Sequence, residues 1–479
     1  MGGASAPAWR QVAQYEFFSG WRRWTSFACI WFWSCLSFSI TSLNLPVSSL
    51  PGVLSCPNEI TLVAAVATLF MILFFTESVS SIIDSRSIMM LAGILLVSAS
   101  LCFIVGAFIS AVWFPVAGMA LGGAAIGFLK IAWGEMYSRM SLRQGLFSMG
   151  YALVCSVLAV YIVQVLPFMV QLAVLLIVSV CCAPLLHQGT RDLADGGFTD
   201  EKSEGGVTFS YSLLLLPALV AFAAGMVKGV LPWIPGSTEP LVNIARGVAE
   251  LTAGVLLLIF ACKLGRRVGA AQIYASALIL VVAGLALFLL QMTPVWAALG
   301  VHEAGFSLFY FFMVVYWGDL SRRTGMGIVR IYAIGYFVFL FVQFIGTLVG
   351  FYLLAGDEMT LMTVVFMVVI FAFFVVALVL FLNARSPLQE WLVAEKVVSE
   401  TGDEVPIACA ALASECKLSP REHEVLGLLA RGRNASSIAR LLCVSPDTAK
   451  THIKNIYRKL DVHTQQELID KIEHTMHTA

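Results

Sequence analysis

The sequence predicts an all-α chain: a twelve-helix transmembrane bundle arranged six plus six, followed by a small four-helix domain. Three observations carry that reading. The 479 residues are 59% hydrophobic and 12% charged, with a mean hydropathy of +0.88, which is too apolar for a chain whose main solvent is water. The formal net charge of +0 hides a segregation, because residues 87–129 carry no charge at all while residues 387–479 are rich in acids and bases. Apolar runs of about 20 residues, the length that crosses a hydrocarbon core roughly 30 Å thick, recur along the first four-fifths of the chain.

The spans fall near residues 25–44, 60–76, 88–106, 110–129, 145–165 and 168–186, and then near 209–228, 243–262, 269–290, 295–317, 331–354 and 359–382. Residues 1–24 precede the first half, 25–186. The stretch 187–208, rich in Gly, Asp and Glu, reads as a flexible linker between the halves. The second half is 209–382, a connector covers 383–414, and the small domain is 415–479. The first apolar run is long enough to span and has no small-residue cleavage site after it, so it is expected to stay as the first anchor rather than leave as a signal peptide.

The eleven cysteines lie singly or as the pair Cys181 and Cys182, mostly inside apolar runs and without C-x-x-C spacing. That pattern implies neither a disulfide framework nor a metal site. Arg22, Arg23, Arg86, Lys130, Arg139, Arg143, Arg191, Lys202, Lys263, Arg266, Arg267, Arg322, Arg323, Arg330 and Arg385 fall in alternate loops, whereas the other loops offer little beyond Lys228. By the positive-inside rule the basic loops and both termini are cytoplasmic, in a multi-pass protein of the inner membrane.

The loop after the eighth span holds Lys263, Gly265, Arg266 and Arg267, with Cys262 ahead of them; the first-half counterpart keeps Asp84 and Arg86. With the six-plus-six count, this resembles the major facilitator superfamily over roughly residues 15–385. Cys262 stands where that family's loop motif has Asp. The fourth span is Gly-rich (Gly118, Gly122, Gly123, Gly127), which suits close helix contact, but it lacks the buried arginine of many proton-coupled members. The resemblance implies the fold more strongly than it implies transport.

Ionisable groups inside spans are costly and therefore mark function by default. The first half shows none at mid-depth. In the second half Arg246 and Glu250 are spaced i,i+4 and can pair, His302 and Glu303 lie in the tenth span, and Lys228 sits nearer the outer mouth of the seventh. Counting ~1.5 Å per residue, Glu250 and His302 lie ~10–12 Å into the membrane. Lys228, Arg246, Glu250, His302 and Glu303 are thus candidate contacts for a small-molecule ligand; the competing reading is that Arg246 and Glu250 only neutralise each other. The aromatics of 306–312 are expected to face lipid or neighbouring helices, and Gly346 and Gly350 to serve helix packing.

After Asn383 the composition changes. Ser386, Pro387 and Gln389 make a helix start, the stretch from Thr401 to Pro406 breaks that helix, and residues 407–417 form a small-residue connector. This segment is either a transmitting helix or a passive spacer. From Leu418 four helix starts crowd into about sixty residues. Ser419, Pro420 and Glu422 form an N-cap box ahead of Val425, Leu426, Leu428 and Leu429, with Gly432 expected as the cap at the other end. A short helix with Ile438, Ala439, Leu441 and Leu442 follows, then a tight turn at Cys443 and Val444. Ser445, Pro446 and Asp447 start a third helix, and Thr464 with Glu467 starts a fourth.

On the third helix Ala449, Ile453, Ile456 and Leu460 repeat at helical spacing and form a buried face. Lys450, Lys454 and Arg458 line the opposite face at i,i+4 intervals, with Thr448, Thr451 and His452 near its start. A basic row on the helix that follows a short helix and a tight turn is what a helix-turn-helix presents to the major groove. The segment 415–475 closely resembles the LuxR/NarL/FixJ DNA-binding domain, through Pro420, Glu422, Val425, Leu426, Ile438, Ala439, Ser445, Pro446, Thr448, Lys450, His452, Asn455, Ile456, Lys459, Leu460 and Val462. That resemblance implies base reading by Lys450, Thr451 and Lys454, phosphate contacts from Thr448, His452 and Arg458, and homodimers on double-stranded DNA. Ala449 replaces the usual valine, which is expected to loosen packing, and Gln465 replaces a frequent arginine at the start of the fourth helix, which is expected to remove a phosphate contact and weakens the case for dimer contact through that helix.

Taken together, these features read as a membrane-bound transcription regulator of the LuxR type, a one-component sensor whose bundle sits in lipid and responds to an unknown small molecule. The alternative is an active secondary transporter with an appended regulatory domain. No phosphoacceptor domain precedes the helix-turn-helix. No nucleophile–base pair, metal cluster or phosphate loop appears, so neither an enzyme nor a cofactor or metal is expected.

Overall fold

A computed structural model describes residues 20–44, 57–75, 81–109, 111–140, 142–194, 214–231, 240–263, 270–290, 294–324, 326–355, 418–430 and 446–462, with a few single residues besides. The described residues are helical or in turns, with no strand among them. The chain separates into two compact units, a large bundle and a C-terminal unit.

The bundle holds α1 (Trp21–Asn44), α2 (Pro57–Phe75), α3 (Arg86–Ile109), α4 (Trp113–Ser138), α5 (Leu142–Gln164), α6 (Phe168–Ala194), α7 (Leu215–Val230), α8 (Pro240–Lys263), α9 (Ala270–Leu290), α10 (Val295–Thr324) and α11 (Ile328–Ala355). Seven of them, α3–α6, α8, α10 and α11, are each long and apolar enough to cross a membrane, and α2, α7 and α9 hold shorter apolar stretches. The chain is therefore a membrane protein. The expected twelfth span at 359–382, the connector helix after Ser386 and the arginines of the loop after α8 lie outside the described residues.

Several boundaries differ from the sequence reading, and two move furthest. α6 continues past Leu186 to Ala194, into the stretch expected as linker. α4 runs on to Ser138, so Lys130 is an intrahelical residue and not a loop base. The apolar run does end at Leu129, but Ile131, Ala132 and Trp133 beyond Lys130 are buried and keep the helix in the bundle.

Glycines set the closest approaches. A Cβ on Gly118 of α4 would stand 3.0 Å from the Ala99 carbonyl oxygen of α3, and one on Gly127 would stand 2.9 Å from Thr68 Cβ of α2, so the glycine-rich fourth span does serve close contact. α7 and α11 interlock more tightly still. Cβ atoms on Gly225 and Gly229 would run into the backbone at Gln343 and Thr347, and those on Gly346 and Gly350 into the backbone at Phe222 and Met226. The pairing is reciprocal and backbone to backbone, as expected for Gly346 and Gly350. Phe309, Phe311 and Phe312 of α10 are fully buried against neighbouring helices, while Phe74, Trp113, Ile162 and Val165 stand exposed on the surface that lipid would cover.

The C-terminal unit holds α12 (Pro420–Leu429) and α13 (Pro446–Leu460). Its core joins Val425, Leu426 and Leu429 of α12 to Ile456 and Leu460 of α13, with Cys409, Leu412, Ile438, Val462, Leu468 and Ile472. The N-cap box forms as expected: the Ser419 hydroxyl accepts from Glu422 N at 3.3 Å, and the Glu422 carboxylate accepts from Ser419 N at 2.8 Å. α12 ends with Ala430 as its cap; Gly432, most of the second helix and most of the fourth are outside the described residues. The Thr464 hydroxyl accepts from Glu467 N at 3.2 Å, the contact expected at the start of a fourth helix.

Candidate nucleic-acid interface and intramembrane polar cluster

Helix α13 begins at Pro446, whose fixed φ suits the first helical position and whose missing N–H would be unpaired there anyway. Ile456 and Leu460 are buried beneath it, and Thr448, Lys450, Thr451, Lys454 and Arg458 are exposed, with His452 and Asn455 half-buried. Lys450, Lys454 and Arg458 line one side of an open groove of about 600 Å³, with Ile453, Tyr457 and Val462 as its apolar floor. Arg458 donates to Asn455 Oδ1 at 3.4 Å. The row of donors expected from the sequence is thus present on one face.

Lys459 points the other way. Its ammonium donates to the Glu422 carboxylate at 2.7 Å and ties α13 to the start of α12. The bond from Lys459, aided by the one from Ser419 N, pushes the Glu422 carboxyl down to about 2. The far end of α13 is equally defined. Asp461 takes a left-handed conformation (φ 52°), Val462 N reaches back to the Tyr457 carbonyl at 3.0 Å, and Lys471 donates to the Leu460 carbonyl at 2.6 Å. A cation on the last carbonyls is where the helix dipole favours one. Burial raises the Tyr457 phenol above its ordinary range.

In the bundle, Glu250 lies within electrostatic range of Glu303, Arg246 and Lys228, and His302 within range of Glu303 and Lys228. The Arg246–Glu250 ion pair that the i,i+4 spacing allows is not among the described contacts. Glu250 of α8 accepts instead from Trp31 Nε1 of α1 at 3.0 Å, and Arg246 Nε is buried with no hydrogen-bond partner. The indole competes successfully because it arrives from the other half at the depth of the carboxylate, and an i,i+4 spacing permits a pair without compelling one. Lys228 places its ammonium 5.5 Å from the Phe306 ring centroid. His302 is 2% exposed and stacks on Phe306, and its backbone presses on Gly284 of α9, where a Cβ would come within 2.5 Å of His302 Cα.

Two further charges belong to this interior. Glu59 of α2 is 2% exposed and faces Lys228 of α7 and Thr347 of α11. Lys130 of α4 donates to the Tyr310 hydroxyl of α10, with its ammonium 4.7 Å from the Tyr310 centroid and 5.2 Å from that of Tyr336 of α11. Cation–π contact of this kind stabilises a desolvated ammonium by ~2 kcal/mol. The arrangement is reciprocal: an aromatic of the first half (Trp31) holds a carboxylate of the second, and aromatics of the second hold an ammonium of the first. The connection between α2 and α3 meets α4: Glu135 of α4 accepts from Ser81 Oγ at 2.5 Å and Ile82 N at 2.7 Å, and Asp84 pairs with Arg139 at 3.0 Å.

Residues 416–472 match the model of bacterial regulatory proteins of the luxR family. The C-terminus carries a LuxR-family helix-turn-helix domain. Among similar proteins, the transcriptional activator protein CarR of Pectobacterium carotovorum subsp. carotovorum is 48% identical over 54 residues, which are 11% of this chain and 22% of CarR. The uncharacterized response regulatory protein YgeK of Escherichia coli (strain K12) is 41% identical over 71 residues, 14% of this chain and 48% of YgeK. The chain therefore spans less than half of either relative. The bundle resembles the solved structure of the major facilitator superfamily proton:xylose symporter XylE bound to 6-bromo-6-deoxy-D-glucose, with a TM-score of 0.50 at 11% identity over 78% of this chain and 95% of that one. This likeness shows the fold alone.

Sequence reasoning missed three functional-looking groups. Lys130 was hidden by the hydropathy cut-off, although the apolar Ile131, Ala132 and Trp133 that follow it were a usable signal. Glu59 sits at the very start of its span, where a charge is ordinarily read as interfacial. Trp31 carried no signal, because nothing local distinguishes an indole that meets a carboxylate 219 residues away.

Proposed function

We propose that this chain is a membrane-bound LuxR-type transcription regulator in which a small molecule, bound between the halves of a six-plus-six bundle, changes how its C-terminal domains pair on double-stranded DNA. Both termini are cytoplasmic in this reading, and the protein resides in the inner membrane as a homodimer when bound to DNA. Lys450, Thr451 and Lys454 read base edges; Thr448, His452 and Arg458 hold phosphates. A ligand shifts the bundle only by binding one state better than another. The observation that supports a switch is the reciprocal interlock, Glu250 on Trp31 and Lys130 on Tyr310 and Tyr336, which a polar ligand entering between the halves would replace. Lys228, Arg246, His302 and Glu303 supply the remaining contacts.

The test is a transcriptional reporter under the inducing condition. Trp31→Phe removes the indole donor while keeping an aromatic ring, and Glu250→Gln removes the charge. Either one, and His302→Ala, is expected to abolish the response at unchanged protein abundance and DNA affinity. If Arg246→Ala and Glu250→Ala each lower abundance and the double variant recovers both abundance and response, the cluster is structural and the ligand site is withdrawn. Substrate counterflow in proteoliposomes by the bundle without residues 415–479 would favour the transporter reading instead.

A further inference from the structure

A groove of about 850 Å³ runs between α3 and α6 on the outer surface of the first half. Its walls are Met89, Gly93 and Val97 of α3 and Val180 and Ala183 of α6, and its mouth is Arg86 and His187. Gly93 keeps the floor low, since a Cβ there would already touch Ala183 Cβ at 3.4 Å. Pro184 inside α6 has no N–H to give the Val180 carbonyl, so one backbone acceptor beside the groove lacks its usual helical bond.

Length and charge identify the occupant. From Arg86 to Ser98, the two ends of the lining on α3, the helix rises ~18 Å, a little over half of a hydrocarbon core roughly 30 Å thick. The groove thus runs from one interface to the bilayer midplane, the depth of a single leaflet. Its mouth is cationic: Arg86 is exposed and makes no hydrogen bond or ion pair among the described residues, and it stands in the first turn of α3, where the helix dipole also favours an anion. The nearby acid Asp84 is tied to Arg139 at 3.0 Å and does not neutralise it. No carboxylate lines the groove among the described residues. A basic mouth over an apolar slot one leaflet deep is complementary to an anionic headgroup on an acyl chain.

We propose that this groove binds an anionic glycerophospholipid, its phosphate on Arg86 and His187 and an acyl chain along Met89, Gly93 and Val97. The site is separate from the intramembrane cluster, and it stands or falls independently of the sensor reading.

Native mass spectrometry of the purified full chain, titrated with phosphatidylglycerol or phosphatidylcholine, tests it. Phosphatidylglycerol is expected to bind about tenfold more tightly, because both lipids offer the phosphate but the quaternary ammonium of phosphatidylcholine cancels the net negative charge that the Arg86 guanidinium attracts. Arg86→Gln should bring it to the phosphatidylcholine level, and Arg86→Lys should keep most of the preference. Ile94→Trp fills the slot from an exposed position and should weaken both lipids, with monodispersity confirming that the chain is folded. Inorganic phosphate at millimolar concentration should not displace the lipid. Equal binding of the two lipids by the unmodified chain, an unchanged preference in Arg86→Gln, displacement by phosphate alone, or no lipid bound because a segment of the chain itself fills the groove would each overturn the proposal.

Discussion

The bond between Lys459 and Glu422 predicts that the start of α12 controls how firmly the recognition helix α13 is held. Glu422 has a side chain only 7% exposed and accepts from both Ser419 N and Lys459 Nζ, at 2.8 and 2.7 Å. Glu422→Ala removes half of the capping box, worth about 1 kcal/mol. It also removes a hydrogen bond between charged groups, worth roughly 1.5–3 kcal/mol, for which the lower end applies because Lys459 is 32% exposed and can return to water. The sum is about 2–3 kcal/mol, which in a domain of this size lowers the melting temperature by roughly 10–20 °C. Circular dichroism of the 400–479 fragment measures this. Glu422→Gln keeps an acceptor for Ser419 N but loses the charge, so it isolates the Lys459 part. The carboxyl is pushed down to about 2 in the folded domain, against an ordinary value of about 4.3. Its ionised form therefore contributes fully above about pH 4.3, and the contribution is lost as pH falls towards 2. The gap between the unmodified fragment and Glu422→Gln should be constant above about pH 5 and close between about pH 4 and 2. A melting-temperature loss under about 3 °C for Glu422→Ala, or a gap that does not change with pH, would refute the reasoning.

On the DNA face, Lys454→Ala should cost about 1–3 kcal/mol on the specific site, while Arg458→Ala should weaken all sequences alike and lower the salt slope by about one; titrations at several salt concentrations separate the two. Gly427, in mid-α12 with open space where a Cβ would stand, should accept alanine with a gain of about 0.5–1 kcal/mol in denaturant melts. In the bundle, Gly229→Leu or Gly350→Leu forces a side chain into the facing backbone and should sharply reduce the amount of protein in the membrane, seen by immunoblot. Reporters fused after Leu186 and after Asn383 should both report cytoplasm; a periplasmic signal at either place rules out the six-plus-six topology.

Features whose physics is local were legible in the sequence. The Ser419–Glu422 box, the Thr464 cap, the amphipathic α13 and the glycine spacing of α11 each involve residues within a few turns of one another, so periodicity and capping rules reach them. Features that depend on which helix arrives opposite were not. Arg246 and Glu250 were correctly placed on one face, yet the carboxylate turned to Trp31, a partner set only by the packing of α1 against α8. Lys130 looked like the end of a span because hydropathy counts a lysine as a stop, and two tyrosines from other helices make it admissible inside. Lys459 entered the sequence reading only through the family resemblance, and only the fold shows its ammonium on Glu422.

The backbone interlock of α7 with α11 limits how the bundle can respond to anything it binds. Helices that meet through glycines have no side chains between them to re-pack by degrees, so the pair tilts as one plate or stays still. A bundle with few intermediate positions answers by changing how often it is found in each of two, not by moving part-way. Its output would then follow ligand concentration as a saturable occupancy curve, with a ceiling set by the resting ratio of the two positions. A compound that binds both equally would leave the resting ratio unchanged, yet by occupying the site it would block the response to a ligand that discriminates.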